Sequence, residues 1–182
     1  MQTSSKNVRH ADNQQVTRKK RISDEYFAGF VDGEGCFYVG FSKRNDLPLK
    51  WQIITEFHVS QNPGGKNILE EFQRRLGCGY IKPNHPKNPR DKSWVLIVKD
   101  RKDLREKVVP FLKKHPVHSQ KKNDFLIFMQ ALEIISKGEH LKRKGFKKVV
   151  NLAFQSPKTS LKRYSKNMLL FGTSETICQN PA

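Results

Sequence analysis

The sequence predicts an α+β fold in the order αββαββα with further helices behind it, that is, an antiparallel sheet covered on one face by helices. Two observations lead there. Apolar residues at helical spacing give way, around Gly33 and Gly35, to two successive stretches in which every second residue is apolar. A second helical pattern is then followed by two shorter strands before a run of helices. At 182 residues the chain has the size of one ordinary domain, large enough to bury a core without disulfides or a structural metal.

The first helix starts at Ser23-Asp24-Glu25, an N-cap hydroxyl with acidic residues behind it, and should stop near Gly33 or Gly35. From Cys36 to Phe41 the residues Phe37, Val39 and Phe41 alternate with Tyr38 and Gly40, the period of a half-buried strand. Asn45-Asp46-Leu47-Pro48 supplies a turn, and a second strand runs from Trp51 to Ser60. Ile68, Leu69, Phe72 and Leu76 mark a helix that ends at Gly77. Strands over Cys78 to Lys82 and Ser93 to Lys99 follow, joined by an exposed cationic loop. Asp100 caps a helix through Leu104, Val108 and Leu112 that Pro116 ends. A longer helix spans Ser119 to Ser136, and a shorter one lies around Lys147 to Phe154. The boundaries expected are a basic, disordered arm over residues 1–21, one domain over 22–155 and a basic tail over 156–182, where Met168-Leu169-Leu170-Phe171 could dock. The arm reads equally as an organelle transit peptide.

The balance of 35 Lys and Arg against 17 Asp and Glu gives a formal charge of +18, which points to a polyanionic partner. A membrane-surface anchor concentrates its charge on one helix, whereas here the charge runs from Arg18 to Lys166, so nucleic acid is the expected partner. Three scattered cysteines, Cys36, Cys78 and Cys178, suggest neither a disulfide framework nor a zinc site. They fit a reducing compartment, either an organelle (chloroplast or mitochondrion) or a bacterial cytoplasm. No apolar run reaches the ~18 residues of a membrane span, and neither a membrane nor a small-molecule substrate is expected.

The chemistry concentrates in Phe27-Ala28-Gly29-Phe30-Val31-Asp32-Gly33-Glu34-Gly35. Gly29 and Gly33, four residues apart on one helix face, let two such helices pack backbone to backbone, with Phe30 and Val31 flanking that face with apolar bulk and Phe27 also assigned to the interface. Asp32 and Glu34 stand at the negative pole of the helix dipole, a conflict that a divalent cation would relieve.

This nonapeptide resembles the signature of the LAGLIDADG homing endonucleases, and with the strands and helices behind it the similarity covers Ile22 to Ile135. The resemblance implies that Glu34 binds Mg²⁺, with Mn²⁺ as a substitute, together with backbone near Gly33, and that scissile phosphates lie beneath the paired helix ends. It further implies that Gln61, at the end of the second strand, holds solvent or metal near the cut, and that Lys121 stands beside the scissile phosphate, with Lys122 as its rival. Some relatives carry arginine four residues after that glutamine; here the position is Gly65, with Lys66 as a candidate substitute. The reaction expected is metal-assisted hydrolysis of a phosphodiester.

Strand alternation assigns a reading face to the sheet, a twisted saddle for the major groove of double-stranded DNA. It comprises Tyr38, Gly40, Ser42 and Arg44; Gln52, Ile54, Glu56 and His58; Tyr80, Lys82 and Asn84; and Ser93 with Val95. Arg44 and Lys82 suit guanine and Gln52 suits adenine, while the basic stretches 87–92 and 142–148 suit phosphate. One copy of the signature leaves its glycine face unpaired, so a two-fold homodimer on a near-palindromic site is expected. The competing readings are an intron-splicing maturase holding intron RNA, a non-cleaving DNA- or RNA-binding protein of the same fold, and a basic structural protein.

Overall fold

The computed structural model describes residues 21–156 and 164–171. The expected N-terminal arm, apart from Arg21, and the rest of the expected tail lie outside them. Helix α1 (Asp24–Glu34) starts where its cap predicts: the Ser23 side chain accepts the Tyr26 amide at 3.2 Å, with Asp24 and Glu25 in the first turn. Strands β1 (Gly35–Lys43) and β2 (Trp51–Gln61) pair antiparallel from Gly35↔Val59 to Lys43↔Trp51. Helix α2 (Lys66–Leu76) ends at Gly77, whose φ of +65° is a left-handed C-cap.

The next strand, β3 (Tyr80–Pro83), begins two residues later than the sequence suggests, because left-handed backbone at both Gly77 and Gly79 interrupts the extended chain. With β4 (Trp94–Val98) it completes one antiparallel sheet in the order β1-β2-β4-β3. Val95, Leu96, Ile97 and Val98 are all buried, as a central strand requires. The helix capped by Asp100 is three joined pieces, α3 (Arg101–Asp103), a π-helical turn (Leu104–Val108) and α4 (Val109–Lys114). Pro110 has no N–H for the regular ladder, and the Val109 amide instead bonds five residues back to Leu104.

Helix α5 (Lys121–Ser136) begins after a turn over residues 118–120, and α6 (Arg143–Ala153) starts a turn before its predicted position. A side chain at Gly145 would collide with the Glu139 carbonyl, so the close approach of the preceding turn calls for glycine inside the helix. Helix α7 (Lys166–Phe171) docks as anticipated through Leu169, and Tyr164 meets Trp51 edge-on at 4.8 Å. The packed unit therefore includes residues 164–171, which the sequence-based boundary assigned to the tail.

Beneath the helices lie Phe37, Val39 and Phe41 of β1, Ile53, Phe57 and Val59 of β2, and Leu96 and Val98 of β4. Helix α1 enters this core through Phe27 and Val31, which are 1% and 0% exposed. The Phe27 ring stacks on Phe72 at 4.7 Å. Neither Phe27 nor Val31 therefore belongs to the outer, glycine-bearing stripe; at ~100° per residue the two share the core-facing side of the helix. Truncating it should be among the costliest single changes. Phe27→Ala is expected to lower unfolding free energy by about 3–5 kcal/mol in urea titration, and a loss under about 1 kcal/mol would remove Phe27 from the core.

Candidate active site at the end of the first helix

Helix α1 delivers its last turn to one end of the sheet, where Lys121 reaches it and where Gln61 ends the neighbouring strand. Glu34 closes the helix with an exposed side chain and directly precedes Gly35, the first residue of β1. Gln61 lies two residues beyond Val59, the strand partner of Gly35, which puts it at the same sheet end. Lys121 arrives from α5: its Nζ donates to the Gly33 carbonyl and, at 3.4 Å, to that of Val31. Both stand in the last turn of α1, at its negative pole, where the Val31 carbonyl also accepts the Gly35 amide. Lys121 makes this contact, whereas Lys122 is exposed.

The two carboxylates of the motif part company. Asp32 accepts from the backbone amides of Ser119, at 3.0 and 3.1 Å, and His118, at 3.2 Å. It thereby ties down the turn just ahead of α5, whose N-cap residue Gln120 makes no side-chain cap of its own. Burial works to raise the Asp32 pKa, but hydrogen bonds from the Ser119 side chain and from these amides outweigh it and hold the carboxyl below its ordinary value. The charge conflict read from the sequence is thus relieved at Asp32 by amides and remains open at Glu34.

Among the described residues no group of three His, Cys, Asp or Glu side chains could hold a metal. One protomer offers the Glu34 carboxylate and the carbonyls at the end of α1, all hard oxygens that suit a cation of the magnesium type with water and phosphate oxygens filling its shell. The Lys121 ammonium on Gly33 and Val31 shows that this helix end attracts a cation. It also means that the Gly33 carbonyl, expected as a metal ligand beside Glu34, already serves the lysine.

Gln61 turns its Oε1 to the Asn62 amide at 2.8 Å and folds over Gly65. Any side chain at 65 would collide with Gln61 Cγ, so an arginine there and this placement of the glutamine exclude each other. Lys66 does not replace the arginine: its ammonium lies 4.3 Å over the Trp94 ring and 3.3 Å from Glu70.

The face of the sheet away from the helices carries the predicted alternation, and much of it is already engaged. Arg44 forks onto Asp46 at 2.9 Å through two nitrogens and reaches Gln52 at 3.4 Å. Glu56 bonds His58 and Lys99, each at 2.7 Å, and the His58 ring lies parallel to Tyr38 at 6.5 Å. Gly40 is covered by the Tyr38 side chain and Val95 is only 3% exposed, so neither offers the open contact expected of it. Ser42 and Ile54 are half-buried, and Tyr80 and Lys82 are exposed. Asn84 and Ser93 join the ends of the β3–β4 loop through a backbone bond of 2.9 Å. That loop is shaped by Asp91, which binds the Ser93 amide and His85 and whose pKa falls to about 2, chiefly through Ser93. The lysines of 142–148 belong to the helical layer, since Phe146 of α6 packs on Phe41, and not to the open face.

Sequence reasoning missed Lys99. It follows Val98, the partner of Phe57, which brings it beside Glu56, but only the non-sequential pairing of β2 with β4 reveals this.

These features define a domain whose carboxylate-tipped helix meets a lysine at one end of a polar, partly basic sheet face, with a glutamine at the same sheet end. The chain belongs to the LAGLIDADG endonuclease family, whose model matches residues 27–132. It is 32% identical to the homing endonuclease I-TnaI over 82% of this chain and 96% of that one, with a TM-score of 0.73. An archaeal intron-encoded homing endonuclease solved with DNA, I-Vdi141I, is 27% identical over 81% of this chain and 91% of its own, with a TM-score of 0.71. A probable intron-encoded endonuclease 3 of Neurospora crassa is 29% identical over 133 residues, 72% of this chain and 24% of that protein. The chain spans about a quarter of the length of the first curated relatives it matches.

Burial of Glu56 favours its neutral form, yet the bonds from Lys99 and His58 prevail and hold its pKa below the ordinary 4.5. Its stabilising contribution is complete above the unfolded value of 4.5 and disappears as pH falls through the lower folded value. Stability measured from pH 3 to 6, about the range of the carboxylate transition, should therefore rise less steeply in Glu56→Gln than in the wild type; parallel curves would refute the assignment.

Proposed function

We propose that this protein is a site-specific DNA endonuclease that makes a metal-dependent double-strand break at a long, near-palindromic target as a homodimer. The observation that carries this reading is the end of α1, where the free Glu34 carboxylate stands next to the carbonyl that holds the Lys121 ammonium, at the rim of the polar sheet face. The names of the relatives, several of them intron-encoded endonucleases, support it, as does the likeness to I-TnaI over nearly the whole of that chain. On the same grounds the gene is proposed to lie within an intron.

DNA would lie along the open face, where Tyr80, Lys82, Arg44 and Gln52 meet base edges and the loop bearing Lys87, Arg90 and Lys92 meets phosphate. A formal charge of +18 makes the affinity strongly salt-dependent. Glu34 would hold Mg²⁺, or Mn²⁺ in its place, and the ion would supply charge neutralisation at the phosphate and at the departing 3′ oxygen. Lys121 stabilises negative charge on the phosphate, and Gln61 orients water with its amide. With hard oxygen donors alone and no thiolate or imidazole cluster among the described residues, a zinc-type centre is disfavoured.

The dimer rests on the outer stripe of α1. Tyr26, 52% exposed, and half-buried Phe30 flank Gly29 and Gly33, where an added Cβ would meet nothing within 4 Å. Such a stripe admits a second helix at close range, and pairing it with its own copy places two Glu34 carboxylates about one axis.

Glu34→Gln should keep DNA affinity within about three-fold while cleavage with Mg²⁺ falls at least about 100-fold. The assay is selection of a cut site from a plasmid library followed by binding and single-turnover rates; a wild type that binds one sequence and never cuts it removes the nuclease reading. Gly29→Leu/Gly33→Leu, with room in the protomer for both side chains, should remain folded and turn monomeric in light scattering. A dimer that survives both leucines would place the interface elsewhere.

A further inference from the structure

We infer that Asp32 is a positioning residue for Lys121: by binding the first amides of the α5 entry it fixes the turn that carries the lysine's ammonium to the end of α1. The inference rests on the endonuclease reading only for its catalytic consequence.

Two straps cross the same gap in opposite directions. From α1, the Asp32 carboxylate takes the amides of His118 and Ser119; from α5, the Lys121 ammonium reaches the carbonyls of Val31 and Gly33. Each connects residues 86 to 90 positions apart in the chain, so nothing local imposes them. Their electrostatics are complementary: an anion takes the amides of the approach to α5 and a cation sits at the negative pole of α1. Ser119 joins the two, since its amide binds Asp32 while its hydroxyl oxygen accepts the Lys121 amide at 3.2 Å.

The register of this turn matters because Lys121 and Lys122 are adjacent. A one-residue slip at the start of a helix rotates side chains by ~100° and would bring the wrong lysine forward. Asp32 is suited to prevent it, as its two oxygens engage two successive amides just ahead of Gln120, the N-cap residue, which makes no side-chain cap itself. Buried Val117 anchors the approach from the other side, so loss of Asp32 loosens the turn without detaching the segment. A lysine left to its flexible four-carbon stem occupies many positions, and holding its backbone narrows them.

The test uses the full chain with Asp32→Asn, which keeps the size and one acceptor, in combination with Lys121→Met. Acetylation of Lys121 and Lys122 by dilute acetic anhydride, read by mass spectrometry, needs no cleavage. Asp32→Asn should raise Lys121 reactivity about ten-fold and leave Lys122 within about two-fold. Single-turnover cleavage should slow at least about ten-fold with DNA affinity within about three-fold, and the double variant should be no slower than Lys121→Met alone. Unchanged Lys121 reactivity, or rate losses that multiply in the double variant, would overturn the inference. If Asp32→Asn lacks a cooperative unfolding transition, Asp32→Glu takes its place, with increased Lys121 acetylation again expected and wild-type reactivity counting against the proposal. A wild-type protein that cuts no DNA would defeat the endonuclease reading while the acetylation result still decides the role of Asp32.

Discussion

The negative charge gathered at the C-terminal turn of α1 governs how the rest of the protein is arranged. Two carboxylates stand there beside carbonyls that the helix cannot satisfy by itself, an arrangement no isolated helix would favour. The fold brings the start of α5 against it, with free amides for Asp32 and an ammonium for the carbonyls. Glu34 alone is left exposed. The unrelieved charge is therefore one carboxylate, held on a helix whose other side is locked into the core by Phe27 and Val31. A rigid support of this kind keeps an exposed carboxylate in place better than a loop would.

The open sheet face shows the same economy with charge. A basic protein that carries Glu56 near the middle of its polar face would repel phosphate there, but Lys99 and His58 already bond that carboxylate. Arg44 is likewise held by Asp46 and Gln52. Side chains ordered before a ligand arrives lose less conformational freedom on binding, which favours discrimination between partners over bulk affinity.

The residues that announced their structure were those with a local physical reason. Ser23 caps α1 and Gly77 ends α2 because each satisfies the neighbouring backbone within a few residues. Alternation along 35–43 and 51–61 was visible because every second side chain had to be buried. Less was visible where the deciding partner is distant. The need for glycine at 145, inside α6, comes from the Glu139 carbonyl lying against it. The first residue of the motif, Phe27, read as part of an outer interface, although its ring belongs on Phe72. The absence of arginine at Gly65 looked like a loss, and the folded Gln61 side chain accounts for it.

The sequence by itself determined the αββαββα order, the glycine stripe and acidic tip of α1, and the polar alternation of the open sheet face, because each is a matter of period or of spacing within one element. Tertiary structure alone decided that β4 lies between β2 and β3, that Lys121 and not Lys122 reaches α1, and that Asp32 serves α5 while Glu34 stays free. Those outcomes depend on which groups far apart in the chain meet to satisfy amides, carbonyls and charges, and no local pattern encodes such a meeting.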